Sequence, residues 1–175
     1  RLIALGVNFD TVIDIGVLLG TPELATVLPK AKHLLFEPMD IHLETIKEQY
    51  KNHDFELFNL ACSDIDGECF LVYSSCDGSG QITHSRISDE PLNLSHSKDI
   101  IDCKKIQQVR LDSLTLPLGK EVLLKIDVDG VELKVLSGAE NLLKKVSVVI
   151  IETPISHLFE MWIYIIRYCR PVLLL

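Results

Sequence analysis

Basic residues are in short supply in this 175-residue chain: 17 lysines and arginines stand against 25 acids, for a formal net charge of −8. A protein that tracks nucleic acid needs a basic stripe, so that role is disfavoured. Zinc-knuckle spacing is missing as well. The five cysteines are Cys62, Cys69, Cys76, Cys103 and Cys169, and no two of them have the short gap of such a site. None of the six histidines (His33, His42, His53, His84, His96 and His157) lies four residues from another, so no helical metal pair exists. No metal is expected, and the thiols read as reduced cysteines of a cytoplasmic protein. No uncharged apolar run of membrane-spanning length is present either. Glu160, Arg167 and Arg170 interrupt the apolar stretch from Ile155 to Leu175, so it reads as a buried helix followed by a strand. Arg1 to Gly6 is too short for a signal peptide and reads as the trimmed edge of a longer chain. There is no internal repeat and no low-complexity segment.

What is present is the material of one globular domain. Hydrophobic residues make up 47% of the chain and charged residues 24%, which excludes dominant disorder. Thr11–Ile15 is a β-branched run ending at Gly16 and predicts a buried strand. Thr21-Pro22-Glu23 has the order of a helix start, and that helix is expected to reach about Leu28. Lys32 to Glu37 predicts a second strand, Met39 to Tyr50 a helix, and Phe55 to Cys62 a third strand. This β-α-β-α-β order is that of a parallel sheet wound with crossover helices. The alternation then breaks. Gly67 to Ser75 predicts an extra strand, expected to pair with another at Lys104 to Leu111. Between them Asp77 to Asn93 reads as a long polar loop containing His84. Glu121 to Asp127 resumes the parallel core. Val131 to Lys145 predicts one helix with an apolar stripe, and Val146 to Glu152 a further apolar strand.

Two motifs carry chemistry. The first is Asp14-Ile-Gly16-Val-Leu-Leu-Gly20, a strand, turn and helix start of the kind that forms a nucleotide crevice. Glu37 ends the next strand, where an acid grips a ribose hydroxyl pair. A charged hydrogen bond of that kind contributes roughly 1.5–3 kcal/mol. In a dinucleotide turn a second glycine lets the backbone approach the pyrophosphate; Leu18 holds that position here. Asp14 would repel a pyrophosphate but attract the ammonium and sulfonium charges of S-adenosylmethionine, each pair at 4 Å amounting to about 4 kcal/mol before desolvation. The second motif is Leu124-Lys125-Ile126-Asp127-Val128-Asp129-Gly130-Val131-Glu132. Lys125 and Asp127 are two apart on a strand and share a face near its carboxyl end. Either they pair with each other or they face a ligand. Asp129 and Glu132 would serve the start of the following helix, and Glu152 ends the next strand in the equivalent place.

These segments resemble the FkbM family of S-adenosylmethionine-dependent methyltransferases. Leu123 to Ala139 is similar to the family pattern Lys-Ile-Asp-Val-Glu-Gly-Ala-Glu followed by Leu-x-Gly-Ala. Val109 to Leu114 resembles its Leu-Asp-Ser-Leu. Leu35-Phe36-Glu37-Pro38, Ala61-Cys62-Ser63-Asp64 with Gly67, and Ile150-Ile151-Glu152 follow in order. Val17 and Leu18 stand where the family usually has alanine and asparagine. The resemblance implies an α/β fold: a Rossmann-like class I methyltransferase sheet, mostly parallel, with an inserted antiparallel strand pair. Only Arg170 to Leu175 would remain to close that sheet, so a C-terminal strand is expected to be missing from a single domain over 1–175. It further implies S-adenosylmethionine as cofactor, held by Asp14, Gly16, Gly20, Glu37, Pro38, Ala61, Cys62 and Asp64. The acceptor would be a small molecule methylated on a hydroxyl: a sugar, glycolipid or polyketide-like compound. Asp127 is the first choice for general base, with Lys125 and His84 behind it. Two alternatives stay open: a cofactor-binding domain without catalysis, and a nicotinamide-dependent oxidoreductase.

Overall fold

A computed structural model describes residues 8–75, 82, 84–91, 100–154 and 161–167. Strand β1 (Thr11–Ile15) is buried along its whole length and sits in the middle of the main sheet. Its neighbours are β2 (Lys32–Phe36), followed by β3 (Phe55–Phe58), on one side, and β8 (Val122–Asp127), followed by β9 (Val148–Pro154), on the other. All four pairings are parallel. The chain builds outward from β1 in one direction and then returns to build in the other. The carboxyl end of β1 is therefore the switch point where ligands of open α/β sheets bind. A sixth strand, β10 (Met161–Arg167), lies antiparallel on β9.

Both faces of the main sheet are covered. Helices α1 (Pro22–Val27) and α2 (Leu43–Tyr50) pack Leu24, Ala25, Ile46 and Tyr50 against one face. On the other, α3 (Glu132–Ser137) and α4 (Glu140–Leu143) supply Val135 and Leu142 to a cluster with Ile13, Leu34, Leu124 and Val149. Each such leucine, isoleucine or valine contributes roughly 1.5–3 kcal/mol on leaving water. A second, four-stranded sheet runs in the order β4 (Ala61–Cys62), β7 (Ile100–Val109), β5 (Gly67–Ser74) and β6 (His84–Ser88). The expected pairing of the strand at 67–75 with that near 104–111 is β5 on β7, antiparallel.

Four expectations need correction. The predicted third strand ends at Phe58, and Ala61 and Cys62 pair with β7 of the other sheet. Between them the exposed Asn59 ties the chain back to the end of β2, its Nδ2 donating to the carbonyls of Glu37 (2.9 Å) and Pro38 (3.0 Å). The predicted helix over 131–145 is broken into α3 and α4. A side chain at Gly138 would put its Cβ 1.9 Å from the Ser63 carbonyl oxygen. The Asp112 carboxylate then starts α4 afresh, accepting the N–H groups of Asn141 and Leu142 at 2.8 Å each. The long loop contains β6, antiparallel to β5, so His84 stands on a strand. Lastly, the part of the apolar C-terminal stretch at Met161–Arg167 is a strand rather than a helix; its isoleucines, tryptophan and tyrosine favour that state.

Candidate functional site

The β1–α1 turn is shaped by contact with β8. Gly16 has φ +79°, and a Cβ there would lie 1.8 Å from the Asp127 carbonyl oxygen. Only glycine lets these two strand ends meet. The turn then places Leu18 at φ +54°, the only non-glycine with positive φ among the described residues. Asparagine tolerates that region far better than leucine. Val17 is buried in the cluster with Leu35, Ile46 and Tyr50. The Gly20 N–H closes the turn on the Val17 carbonyl at 2.8 Å, and Gly20 packs against Gln49. Thr21 makes no side-chain cap on α1. It is held instead by the buried Tyr50 hydroxyl, which accepts the Thr21 N–H and donates to its carbonyl, both at 3.3 Å.

Glu37 follows β2 directly and is 3% exposed. Its Oε2 accepts the Leu18 N–H at 2.6 Å and its Oε1 the Met39 N–H at 2.8 Å. Burial pushes this carboxyl up to about 7; the two N–H donors pull the other way, and the charge of Asp14 adds to the rise. Each oxygen retains a second lone pair for a further donor.

Asp14, Lys125, Asp127 and Glu152 follow from register. Asp14 is opposite Lys125, and Asp127 opposite Glu152, across adjacent parallel strands. Lys125 Nζ lies 2.8 Å from Asp127 Oδ2 and 3.3 Å from Asp14 Oδ1. Burial alone would lower the lysine, but the two carboxylates outweigh it and raise its pKa. Asp14 is fully buried, and neither of its oxygens completes a hydrogen bond of good geometry among the described residues. Its pKa is raised by burial, against the pull of Lys125 and the Thr21 hydroxyl. Glu152 is also raised, by burial and then by the Asp127 charge. Glu132, at the start of α3, accepts the Gly130 N–H at 3.1 Å.

A half-enclosed cavity of about 250 Å³ opens between the two sheets. Gly16, Leu18, Glu37, Pro38, Asp127 and Asp129 line one wall, and Leu71, Ser85, Arg86 and Ile87 of the second sheet the other. Of the residues picked from the sequence, the structure brings Gly16, Glu37, Pro38 and Asp127 onto this cavity, with Lys125 and Asp14 directly behind Asp127. Gly20 lies off it. Ala61 and Cys62 are buried in β4, Cys62 within the main core, and Asp64 accepts the Ser63 hydroxyl at 3.1 Å. His84 is placed on β6 by its backbone, next to Ser85; its side chain lies outside the described residues. Leu71, Ser85, Arg86 and Ile87 were not picked from the sequence. Ser85, Arg86 and Ile87 lie inside the segment Asp77 to Asn93, which the sequence suggested would shape the acceptor pocket without singling out residues, and nothing in it showed that β6 turns back over the crevice.

The residues present fit S-adenosylmethionine better than a dinucleotide. Leu18 stands where close approach of a pyrophosphate would need glycine, while Asp14 behind the turn is a buried carboxylate, which would repel a pyrophosphate and suits a cationic group. No helix among the described residues is long and apolar enough to cross a membrane. A search of curated proteins found no match. A family model described as "Methyltransferase FkbM domain" matches residues 14–170.

Proposed function

Since the chain belongs to the FkbM methyltransferase family, we propose that it uses S-adenosylmethionine to methylate a hydroxyl on a small-molecule acceptor of sugar, glycolipid or polyketide-like type. One observation carries the reading. A buried carboxylate, Glu37, reaches the same cavity as the Gly16 turn and the Asp127 carboxylate. Glu37 would accept the ribose hydroxyls on its free lone pairs, with Pro38 beside it. Asp14, behind the turn, would balance the cationic end. The cofactor supplies, when bound, a methyl group activated by a positively charged sulfur.

The remaining work falls to the chain's own residues. Asp127 takes the proton of the acceptor hydroxyl as its oxygen becomes bonded to carbon. Lys125, 2.8 Å from Asp127 Oδ2, fixes the direction of that carboxylate and keeps it from being an isolated charge. Alignment of the two reactants in a closed site can lower a barrier by about 7–11 kcal/mol. A second reading, binding without transfer, rests on Leu18, whose apolar side chain stands at the cavity where the family usually has asparagine.

Asp127→Asn tests the proposal. Turnover is expected to fall roughly 10²–10⁴-fold, with cofactor affinity little changed. If Asp127 serves only a structural pair with Lys125, breaking it lowers stability, by less than the about 3–5 kcal/mol of a fully buried pair, because the Asp127 side chain is 40% exposed and Lys125 keeps Asp14. A variant that melts lower while its folded fraction keeps normal turnover would remove Asp127 from catalysis. A wild-type protein that binds cofactor and methylates no hydroxyl compound in a labelled-methyl screen would favour the second reading.

A further inference from the structure

The two walls of the cavity carry opposite charge. Glu37, Asp127 and Asp129 are on the main-sheet side, and Arg86 is on the second-sheet side. Arg86 lies on β6, at the outer edge of its sheet, opposite Val72 of β5. Four lysines around these sheets have acidic partners, whereas Arg110 after β7 has no ion pair among the described residues. Lys134 pairs with Asp89 at 3.0 Å, Lys104 with Asp40, Lys105 with Glu68, and Lys125 with Asp127 and Asp14. Arg86 has no carboxylate partner among the described residues. In a chain with 25 acids and 17 bases, an arginine that borders a cavity from a strand edge and has no ion-pair partner is conspicuous. A guanidinium presents a planar fork matched to a carboxylate or phosphate, which it binds through paired N–H donors.

Resting on the proposed function, the geometry points to a narrower acceptor class: we propose that Arg86 binds an oxyanion, carboxylate or phosphate, carried by the methyl acceptor. The acid wall suits the cationic cofactor and would repel an anionic acceptor. Arg86 offsets that repulsion on the opposite wall, where the acceptor must enter if ribose and sulfonium lie against Glu37 and Asp127. The acceptor is then held with its anion toward β6 and its hydroxyl toward Asp127. The same fork could in principle take the cofactor's own carboxylate, and the test separates the two sources.

The probes are meta-hydroxybenzoate and meta-hydroxybenzamide, titrated into protein saturated with S-adenosylhomocysteine. They differ in the anion and share the hydroxyl. The wild type is expected to bind the benzoate about 10-fold or more tightly than the amide, Arg86→Lys to keep part of that ratio, and Arg86→Gln to bring it near one. Arg86 is exposed, so its substitution leaves the core untouched. Equal affinities in the wild type, or an unchanged ratio in Arg86→Gln, overturn the proposal. So does a loss in Arg86→Gln of affinity for S-adenosylmethionine but not for its decarboxylated analogue, which would assign Arg86 to the cofactor. A wild type that binds neither S-adenosylmethionine nor S-adenosylhomocysteine refutes the cofactor reading instead; the benzoate-to-amide ratio, measured without cofactor, then still decides Arg86.

Discussion

Glu37→Gln is expected to change the way stability depends on pH. The Glu37 carboxyl is raised by burial from an ordinary 4.5 to about 7. In the unfolded chain it ionises near its ordinary value. Between the two values the native state holds a proton that the unfolded state has lost, so stability falls as pH rises through this window. At about 1.4 kcal/mol per unit, the full loss is about 3 kcal/mol, complete once pH exceeds the folded value. Glutamine cannot ionise and removes this slope. It brings a different penalty, because its amide nitrogen cannot accept the N–H of Leu18 or Met39 that one Glu37 oxygen now takes. A buried donor left without a partner costs about 1–3 kcal/mol. The two stability curves should therefore cross: wild type the more stable near about pH 5, the variant gaining about 2–3 kcal/mol on it by about pH 8.5. Urea unfolding at a series of pH values measures this directly. Parallel curves would show that Glu37 is not held in a site that disfavours its charge, and the assignment of a buried, cofactor-facing carboxylate would fail.

Gly16→Ala should be the most damaging single change in the turn, since its Cβ would lie 1.8 Å from the Asp127 carbonyl oxygen; cofactor binding should be lost even in protein that still folds, and a variant with wild-type affinity by calorimetry would contradict the close contact of β1 and β8. Leu18→Asn should stabilise by about 0.5–1 kcal/mol and raise Tm by about 2 °C, because asparagine accepts the left-handed conformation that leucine holds under strain; an unchanged or lower Tm in calorimetric melting would refute it. Asp112→Ala should cost about 1–2 kcal/mol by removing both N–H acceptors from the start of α4, with turnover per folded molecule unchanged; a selective loss of turnover would mean Asp112 does more than start a helix.

The parallel core was legible because its strands are short, largely apolar runs bounded by turn residues. Thr11–Ile15, Lys32–Phe36 and Val122–Asp127 fall where the pattern put them. The break at Gly138 was not, since the apolar stripe runs through it. What ends α3 is a carbonyl of Ser63, 75 residues earlier in the chain, and no local pattern records so distant a neighbour. Strand β6 was hidden for a similar reason. Its sequence, His84-Ser-Arg-Ile-Ser88, is polar and reads as loop; pairing with β5 makes it a strand. Half of the candidate site followed from one rule, that chemistry gathers at the carboxyl ends of parallel strands, which found Gly16, Glu37 and Asp127. Its other half, with Arg86, belongs to the covering sheet and depends on a contact between two sheets that spacing does not encode. The sequence left open whether Lys125 and Asp127 pair or face a ligand; the two are bonded to each other, and Asp127 also lines the cavity.

Calorimetric titration of S-adenosylmethionine and NAD into the wild-type protein, repeated on Glu37→Gln, tests the central claim most directly. One molecule of S-adenosylmethionine should bind per chain, NAD should not bind, and the substitution should weaken the cofactor by about 10- to 100-fold. Binding of NAD in its place, or equal affinity of wild type and variant for S-adenosylmethionine, would contradict the account.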